Sequence, residues 1–181
     1  MGSEMCIRDR LHSIRSEPDL GRLGKPQWRL RGALFLRLQH IKSGIEFYFG
    51  TVHLKCCDSG KEIRAHQAKL LAEWIKKTDV PVIIAGDFNI PIEPDEVDSF
   101  NKSEAFKSLE SATSWIRPIN PVTTQCDDRF ESMLDHVFFK DGPNIIMSDT
   151  EIMEPQSDYC ALDEKGYADH RPVKGTFKIQ P

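Results

Sequence analysis

Pro81-Val82-Ile83-Ile84-Ala85-Gly86-Asp87-Phe88-Asn89 turns from an apolar run into a polar site within a few residues. The run is short, β-branched and bounded by proline and glycine, which predicts a buried strand ending at Gly86. Glycine there permits a tight turn or a close backbone approach. Asp87 can take up a proton or hold a cation. Asn89 can donate to a phosphate oxygen and accept from a water. Taken alone, the same four residues serve equally well as a strand-end turn in which Asp87 caps the next segment.

Working upstream from this stretch, Ile63, Gln67, Leu70, Leu71 and Trp74 recur at helical spacing. Ser59-Gly60-Lys61-Glu62 matches a capping box, and Lys76 and Lys77 suit the negative end of the helix dipole. Further back, Leu34, Leu36 and Leu38 alternate with Phe35, Arg37 and Gln39. After the turn Lys42-Ser43-Gly44, residues 45–54 form a second extended run, so the pair predicts a β-hairpin. Downstream, a helix is expected around residues 104–111. Strands are expected over 133–139, 145–152 and 172–179, with a turn at Asp141-Gly142. Residues 11–28 read as an irregular lead-in, broken by Pro18, Gly21, Gly24 and Pro26. Met1–Arg10, MGSEMCIRDR, has no period and no signal-peptide pattern; it reads as a non-native scar. Residues 29–181 then make one α+β unit.

Three further motifs place chemistry at strand ends: Thr51-Val52-His53-Leu54, Leu134-Asp135-His136-Val137 and Ala168-Asp169-His170-Arg171-Pro172-Val173. A rigid strand fixes such groups at a loop-facing rim. Asp135 lies inside an apolar strand, where an unpaired carboxylate costs several kcal/mol. His170 is its natural partner. Asp169 beside His170 pairs a cation ligand with a general acid or base. His53, taken alone, reads more readily as a half-buried structural histidine.

In combination and order, a His-Leu strand, GDFN, Asp-His-Val and a terminal Asp-His-x-Pro-Val resemble the endonuclease/exonuclease/phosphatase superfamily. That group includes pancreatic-type deoxyribonucleases, AP endonucleases and neutral sphingomyelinases. The resemblance implies a four-layer α/β sandwich of two packed, mostly antiparallel sheets flanked by helices. It implies metal-dependent hydrolysis of phosphodiesters, with Mg²⁺ or Mn²⁺ as cofactor and a nucleic acid as substrate. By the same resemblance His53 is the first catalytic histidine and Asp87 positions or deprotonates the attacking water. Asn89 steadies the phosphate, Asp135 orients His170, and His170 stabilises charge on the phosphate. Asp169 becomes a metal ligand and Arg31 a phosphate contact. AP endonucleases carry asparagine at the position of His53, so the histidine points to the deoxyribonuclease and sphingomyelinase branches.

The sequence departs from the pattern in two places. Ala168 stands where serine is usual. The family's metal-binding glutamate and an asparagine are expected upstream of every residue here, so the chain reads as a C-terminal portion whose N-terminal part is missing. On that reading it holds a divalent ion weakly and turns over poorly. Alternative readings are a phospholipid or inositol-phosphate phosphodiesterase, or an inactive binding module.

The bulk figures exclude little beyond this. Of 181 residues, 39% are hydrophobic and 29% charged, a globular balance. No apolar run could span a bilayer, and no obligate protein partner is implied. The net charge of −4 divides into +6 over residues 1–85 and −10 over residues 86–181. The acidic half is a poor general adhesive for nucleic acid but a good place to hold divalent cations. None of the five cysteines forms a CxxC pair, which disfavours structural zinc. Family members with a cysteine after the His-Leu-Lys strand imply a secreted or periplasmic setting, and with it a disulfide from Cys56 or Cys57 to Cys126.

Overall fold

The computed structural model describes residues 32–127, 129–154 and 168–180, together with the backbone of Leu11–Ile14. Six strands form one sheet: β1 (Leu11–Ile14), β2 (Ala33–Gln39), β3 (Glu46–His53), β4 (Val82–Ile92), β5 (Ser114–Trp115) and β6 (Met133–Lys140). Their order is β1-β2-β3-β4-β6-β5. Two more, β7 (Ile145–Ile152) and β8 (Val173–Ile179), pair antiparallel in a second sheet. All pairings in the larger sheet are antiparallel except β3 with β4. That parallel pair needs a long crossover, and α1 (Lys61–Lys77) supplies it. This is the expected α+β architecture of two packed, mostly antiparallel sheets with helices.

The period-two pattern of the strands sorts their side chains between two cores. Val82, Ile84, Phe88, Ile90 and Ile92 of β4 face one way. They pack with Ala68, Leu71 and Ile75 of α1 and with Phe106 and Leu109 of α2 (Glu104–Glu110). Leu38, Phe47, Ile83 and Phe139 face the other way, against Ile145, Phe177 and Ile179 of the second sheet. The ring of Phe139 meets that of Phe177 edge-on, 5.8 Å between centroids. The ammonium of Lys140, at the end of β6, donates to the carbonyls of Ile75 and Thr78 and so closes the C-terminal end of α1. No helix among the described residues is long and apolar enough to cross a membrane.

Four local expectations change. The capping box at Ser59 does not form: residues 58–60 make a 3-10 turn, and Gly60 precedes α1 with no side-chain cap. Leu11–Ile14, placed in the irregular lead-in, pairs with β2 as an edge strand. The two-residue β5 had no periodicity long enough to read. Most consequentially, β4 does not stop at Gly86 but continues to Ile92. It bends on the way, because Gly86 and Asn89 both take positive φ, 147° and 52°, and its register with β6 shifts between Asp87 and Ile92.

Candidate active site

The polar motifs meet because the register of three strands lines them up. Phe49, Ile83 and Phe139 stand side by side across β3, β4 and β6, and so do Thr51, Ala85 and Val137. Two residues further on comes the row His53, Asp87, Asp135. All three lie on the sheet face that carries Ile83 and Phe139, where the apolar strip ends. Gly86 makes this possible. A Cβ there would stand 2.3 Å from the carbonyl oxygen of Val52, so only glycine lets β4 lie this close to β3 at its bend.

Asp87 is gripped from several sides. The backbone N–H of Asn89 donates to its Oδ1 at 2.8 Å, and the Asn89 side-chain amide donates to its Oδ2 at 3.0 Å. His53 Nε2 lies 3.2 Å from the same Oδ2. Burial pushes the Asp87 carboxyl above its ordinary value, and the charge of Asp135 adds to the push. The Asn89 amide and the two histidines pull the other way without overcoming it. The second hydrogen of the Asn89 amide goes to the carbonyl of Leu54 at 3.1 Å. With both hydrogens engaged, Asn89 presents no donor to a phosphate in this arrangement. It acts instead as a clamp on Asp87.

His170 comes from the segment before β8. Its Nδ1 lies 2.6 Å from Asp135 Oδ2, which leaves Nε2 free. The hydrogen bond to Asp135 raises the imidazole above its ordinary value, against the opposing effect of burial, and the charges of Asp87 and Asp169 add to the rise. The pairing expected of Asp135 is therefore present.

Thr124 and Arg171 hold this dyad together. The fully buried Thr124 hydroxyl accepts from the backbone of Leu134 and of Asp135. Arg171 N–H donates to the Thr124 carbonyl at 2.7 Å, and its guanidinium donates to the carbonyls of Thr123 and Gln125. Cys126 N–H donates to the Asp169 carbonyl. Loop 123–126 is thus sewn to β6 on one side and to residues 169–171 on the other. Thr124 carries no signature in the sequence. Arg171 was visible only as the variable position of the terminal motif, because a side chain that binds main-chain carbonyls leaves no spacing signature.

The remaining expectations divide. Asp169 is adjacent to the dyad and exposed. Among the described residues no group of three or more His, Cys, Asp or Glu side chains could hold a metal ion. Asp87 and Asp135 are already engaged, so Asp169 is a single oxygen donor, and the described set does not by itself fit Mg²⁺ or Mn²⁺. Arg31 lies outside the described residues. The disulfide expected from Cys56 or Cys57 to Cys126 is not made. Cys126 is disulfide-bonded to a residue outside the described set, while Cys56 and Cys57 are free, exposed thiols. They edge a groove of about 280 Å³ that also reaches Arg64, Asn89, Phe130 and Leu134.

A model of the Endonuclease/Exonuclease/phosphatase family matches residues 9–158. No curated protein sequence matches the chain. Among solved structures, the catalytic domain of human Nocturnin is 19% identical, with a TM-score of 0.58; the match covers 82% of this chain and 53% of that one. A mannosyl-6-phosphatase of Bacteroides thetaiotaomicron is 20% identical, with a TM-score of 0.63 over 97% of this chain and 67% of that one. TDP2 of D. rerio in complex with a single-strand DNA product is 18% identical, with a TM-score of 0.60 over 85% of this chain and 64% of that one. The chain therefore spans about half to two thirds of these proteins, and at such identities the likeness concerns the fold.

Proposed function

The chain belongs to the endonuclease/exonuclease/phosphatase family, and from that premise we propose that its site hydrolyses phosphodiesters, with a nucleic-acid strand as substrate. The observation that carries this is the row His53, Asp87, Asp135, with His170 anchored to its end. Hydrolysis needs a base for water, a positive group at the phosphate and a route for the proton. Asp87, lifted by burial, is the base. Asn89 fixes its carboxylate as a positioning residue. His170, whose hold on its proton the Asp135 hydrogen bond strengthens, turns Nε2 toward a non-bridging phosphate oxygen and offsets the charge that develops there. His53, with a largely solvent-facing ring 3.2 Å from Asp87, carries the proton from Asp87 toward the departing oxygen. Water oxygen bonds to phosphorus as the P–O bond to the leaving group breaks.

A divalent ion, where one binds, would add Lewis-acid charge at the phosphate. Asp169 is the one described residue that would hold it on this side of the site. Two features favour a nucleic acid over other phosphodiesters: the exposed ring of Phe130 on the groove beside Asn89, suited to stacking on a base, and the DNA product bound to the TDP2 structure. The test is release of p-nitrophenol from bis(p-nitrophenyl) phosphate with Mg²⁺ or Mn²⁺ present, beside nicking of a plasmid. Slow turnover of the bis-ester and slow nicking, both lost in Asp87→Ala, are expected. Binding of DNA without cleavage of either substrate would make the chain a binding module instead.

A further inference from the structure

Cys56 and Cys57 lie on the segment that leaves the His53 strand, at the rim of the groove beside Asn89. Their sulfurs are 2.8 Å apart, with Cys57 donating its proton to Cys56. Both thiols are exposed. The hydrolysis proposed above uses neither.

We propose that Cys56 and Cys57 are a redox modification site: a dithiol that small-molecule disulfides oxidise to a bridge between adjacent residues, altering the catalytic groove. The alternative use of two thiols, as ligands to a soft metal, lacks further donors: no cluster of three candidate ligands occurs among the described residues. The exchange is balanced. Cys57 retains its proton, and the hydrogen bond to Cys56 pushes its thiol up, so Cys56 attacks first. Its thiolate bonds to one sulfur of the small disulfide and expels one thiol. Cys57 then attacks Cys56 Sγ and expels the second. The protein loses two electrons and two protons, and the small disulfide becomes two thiols.

The geometry makes this bridge reversible. Adjacent Cα atoms across a trans peptide stand about 3.8 Å apart, shorter than the span of about 4.4–6.8 Å that disulfides usually bridge. Such a bridge is strained, and strained, exposed bridges are the readily reduced ones. The chain already carries a disulfide at Cys126, so thiol oxidation is chemistry it supports.

Closure also has a route into the site. Cys57 sits at φ 68°, an unusual backbone for a non-glycine residue, and ring closure adds a further constraint on that backbone. The carbonyl of Cys57 accepts from Arg64, which also holds the Lys55 carbonyl. Lys55 N–H donates to the Gln67 side chain. The neighbouring Leu54 carbonyl receives the Asn89 amide that clamps Asp87. Two residues therefore separate the thiols from the catalytic clamp.

The test is to incubate the full chain with oxidised glutathione and map its peptides by mass. A peptide lacking two hydrogens and spanning residues 56 and 57 is expected. Reduction should restore it, and Cys57→Ser should instead retain glutathione on Cys56. Glutathione stably attached to both cysteines of the wild-type chain, or no reaction, overturns the site. Hydrogen exchange at the amides of Lys55 and Asn89 should quicken on bridging, and unchanged exchange overturns the coupling. Neither readout needs enzymatic activity, so both stand if the hydrolytic reading, on which the effect on catalysis rests, should fail. Where the bis-ester is turned over, bridging should lower the rate about tenfold or more, the scale of a small misplacement, and only with both cysteines present. Equal rates in the two states overturn the effect on catalysis.

Discussion

Asp135 and His170 are tied to each other, and Thr124 bonds both Asp135 and Arg171, the chain neighbour of His170. Nδ1 of His170 lies 2.6 Å from Oδ2 of Asp135, while Thr124 accepts from the Asp135 amide and offers its carbonyl to Arg171. The dyad therefore has a fixed mutual orientation before any substrate arrives, which is the condition for electrostatic stabilisation without reorganisation. It also sets the sign of the pH response. Asp135 raises the His170 imidazole above its ordinary 6.5, so the ring stays charged further into the alkaline range. Hydrolysis should fall on the alkaline side as His170 loses its proton, and on the acid side as Asp87 gains one. Asp135→Asn should move the alkaline limb to lower pH, and the acid limb also to lower pH by a smaller step, because the Asp135 charge adds only secondarily to the rise of Asp87. An unmoved alkaline limb in the kcat/KM profile would remove His170 from the mechanism. The pair's contribution to stability follows the same sign: full below about pH 6.5, and lost as pH rises through the raised folded value.

Replacing the base should separate activity from stability. Asp87→Asn is expected to lower bis-ester turnover by about 10²–10⁴-fold, the usual worth of a positioned base. Burial already disfavours the Asp87 charge, so removing that charge should leave Tm unchanged or raise it. Thermal melts beside steady-state rates check this. A large fall in Tm would show that the Asn89 and His53 contacts outweigh the cost of burying the carboxylate.

Gly86→Ala should damage both properties. The new methyl would meet the Val52 carbonyl at 2.3 Å, and φ of 147° is disfavoured for any other residue. A loss of about 2 kcal/mol or more in urea unfolding is expected. Turnover should fall too, because Asp87 is the next residue. A variant with wild-type stability would mean that β4 can relax away from β3.

His136 predicts acid sensitivity independent of catalysis. It is buried beside Phe88, Trp115 and Phe138, with Nε2 bonded to the Ile90 carbonyl and Nδ1 without a partner. Burial lowers its pKa to about 4. The unfolded chain takes up the proton near pH 6.5 and the folded chain does not, so stability is full above 6.5 and falls as pH drops toward 4. The full loss is about 3 kcal/mol. Urea midpoints from pH 7 to 4 should show this slope, and His136→Phe should flatten it.

Divalent-ion binding should be weak. Asp87 and Asp135 are committed to Asn89, His53 and His170, and Mg²⁺ gives up its waters reluctantly for a lone carboxylate. Calorimetry with Mg²⁺ or Mn²⁺ should give millimolar or weaker affinity, reduced further by Asp169→Asn. Tight binding that survives Asp169→Asn would place the essential ligands elsewhere.

Much of this was legible in the sequence, and what escaped did so for specific reasons. Most of the strands and α1 followed from periodicity, and the convergence of Asp87, Asn89, Asp135 and His170 from the placement of their motifs at strand ends. The clamp role of Asn89 did not, because an amide beside an aspartate looks the same whether it faces a ligand or the aspartate. The continuation of β4 was hidden by Gly86, which ends strands far more often than it bends them. The Cys126 pairing was misjudged because spacing along a chain does not fix which thiols approach one another. Thr124 and Arg171 act through main-chain bonds, to which composition is blind.

The alignment of His53, Asp87 and Asp135 also governs how this protein can vary over time. Because neighbouring residues on a strand point to opposite faces, losing or gaining one residue between Val82 and Asp87 would turn the carboxylate into the helical core and Phe88 outward. Drift in length is closed to β4, and substitution is its only path of change. The Asp141-Gly142 turn, which joins the two sheets, carries no residue of that row, and a change of length there leaves the row's facing unaltered. Families of such chains should therefore differ in size at their turns while their central strands keep the same count.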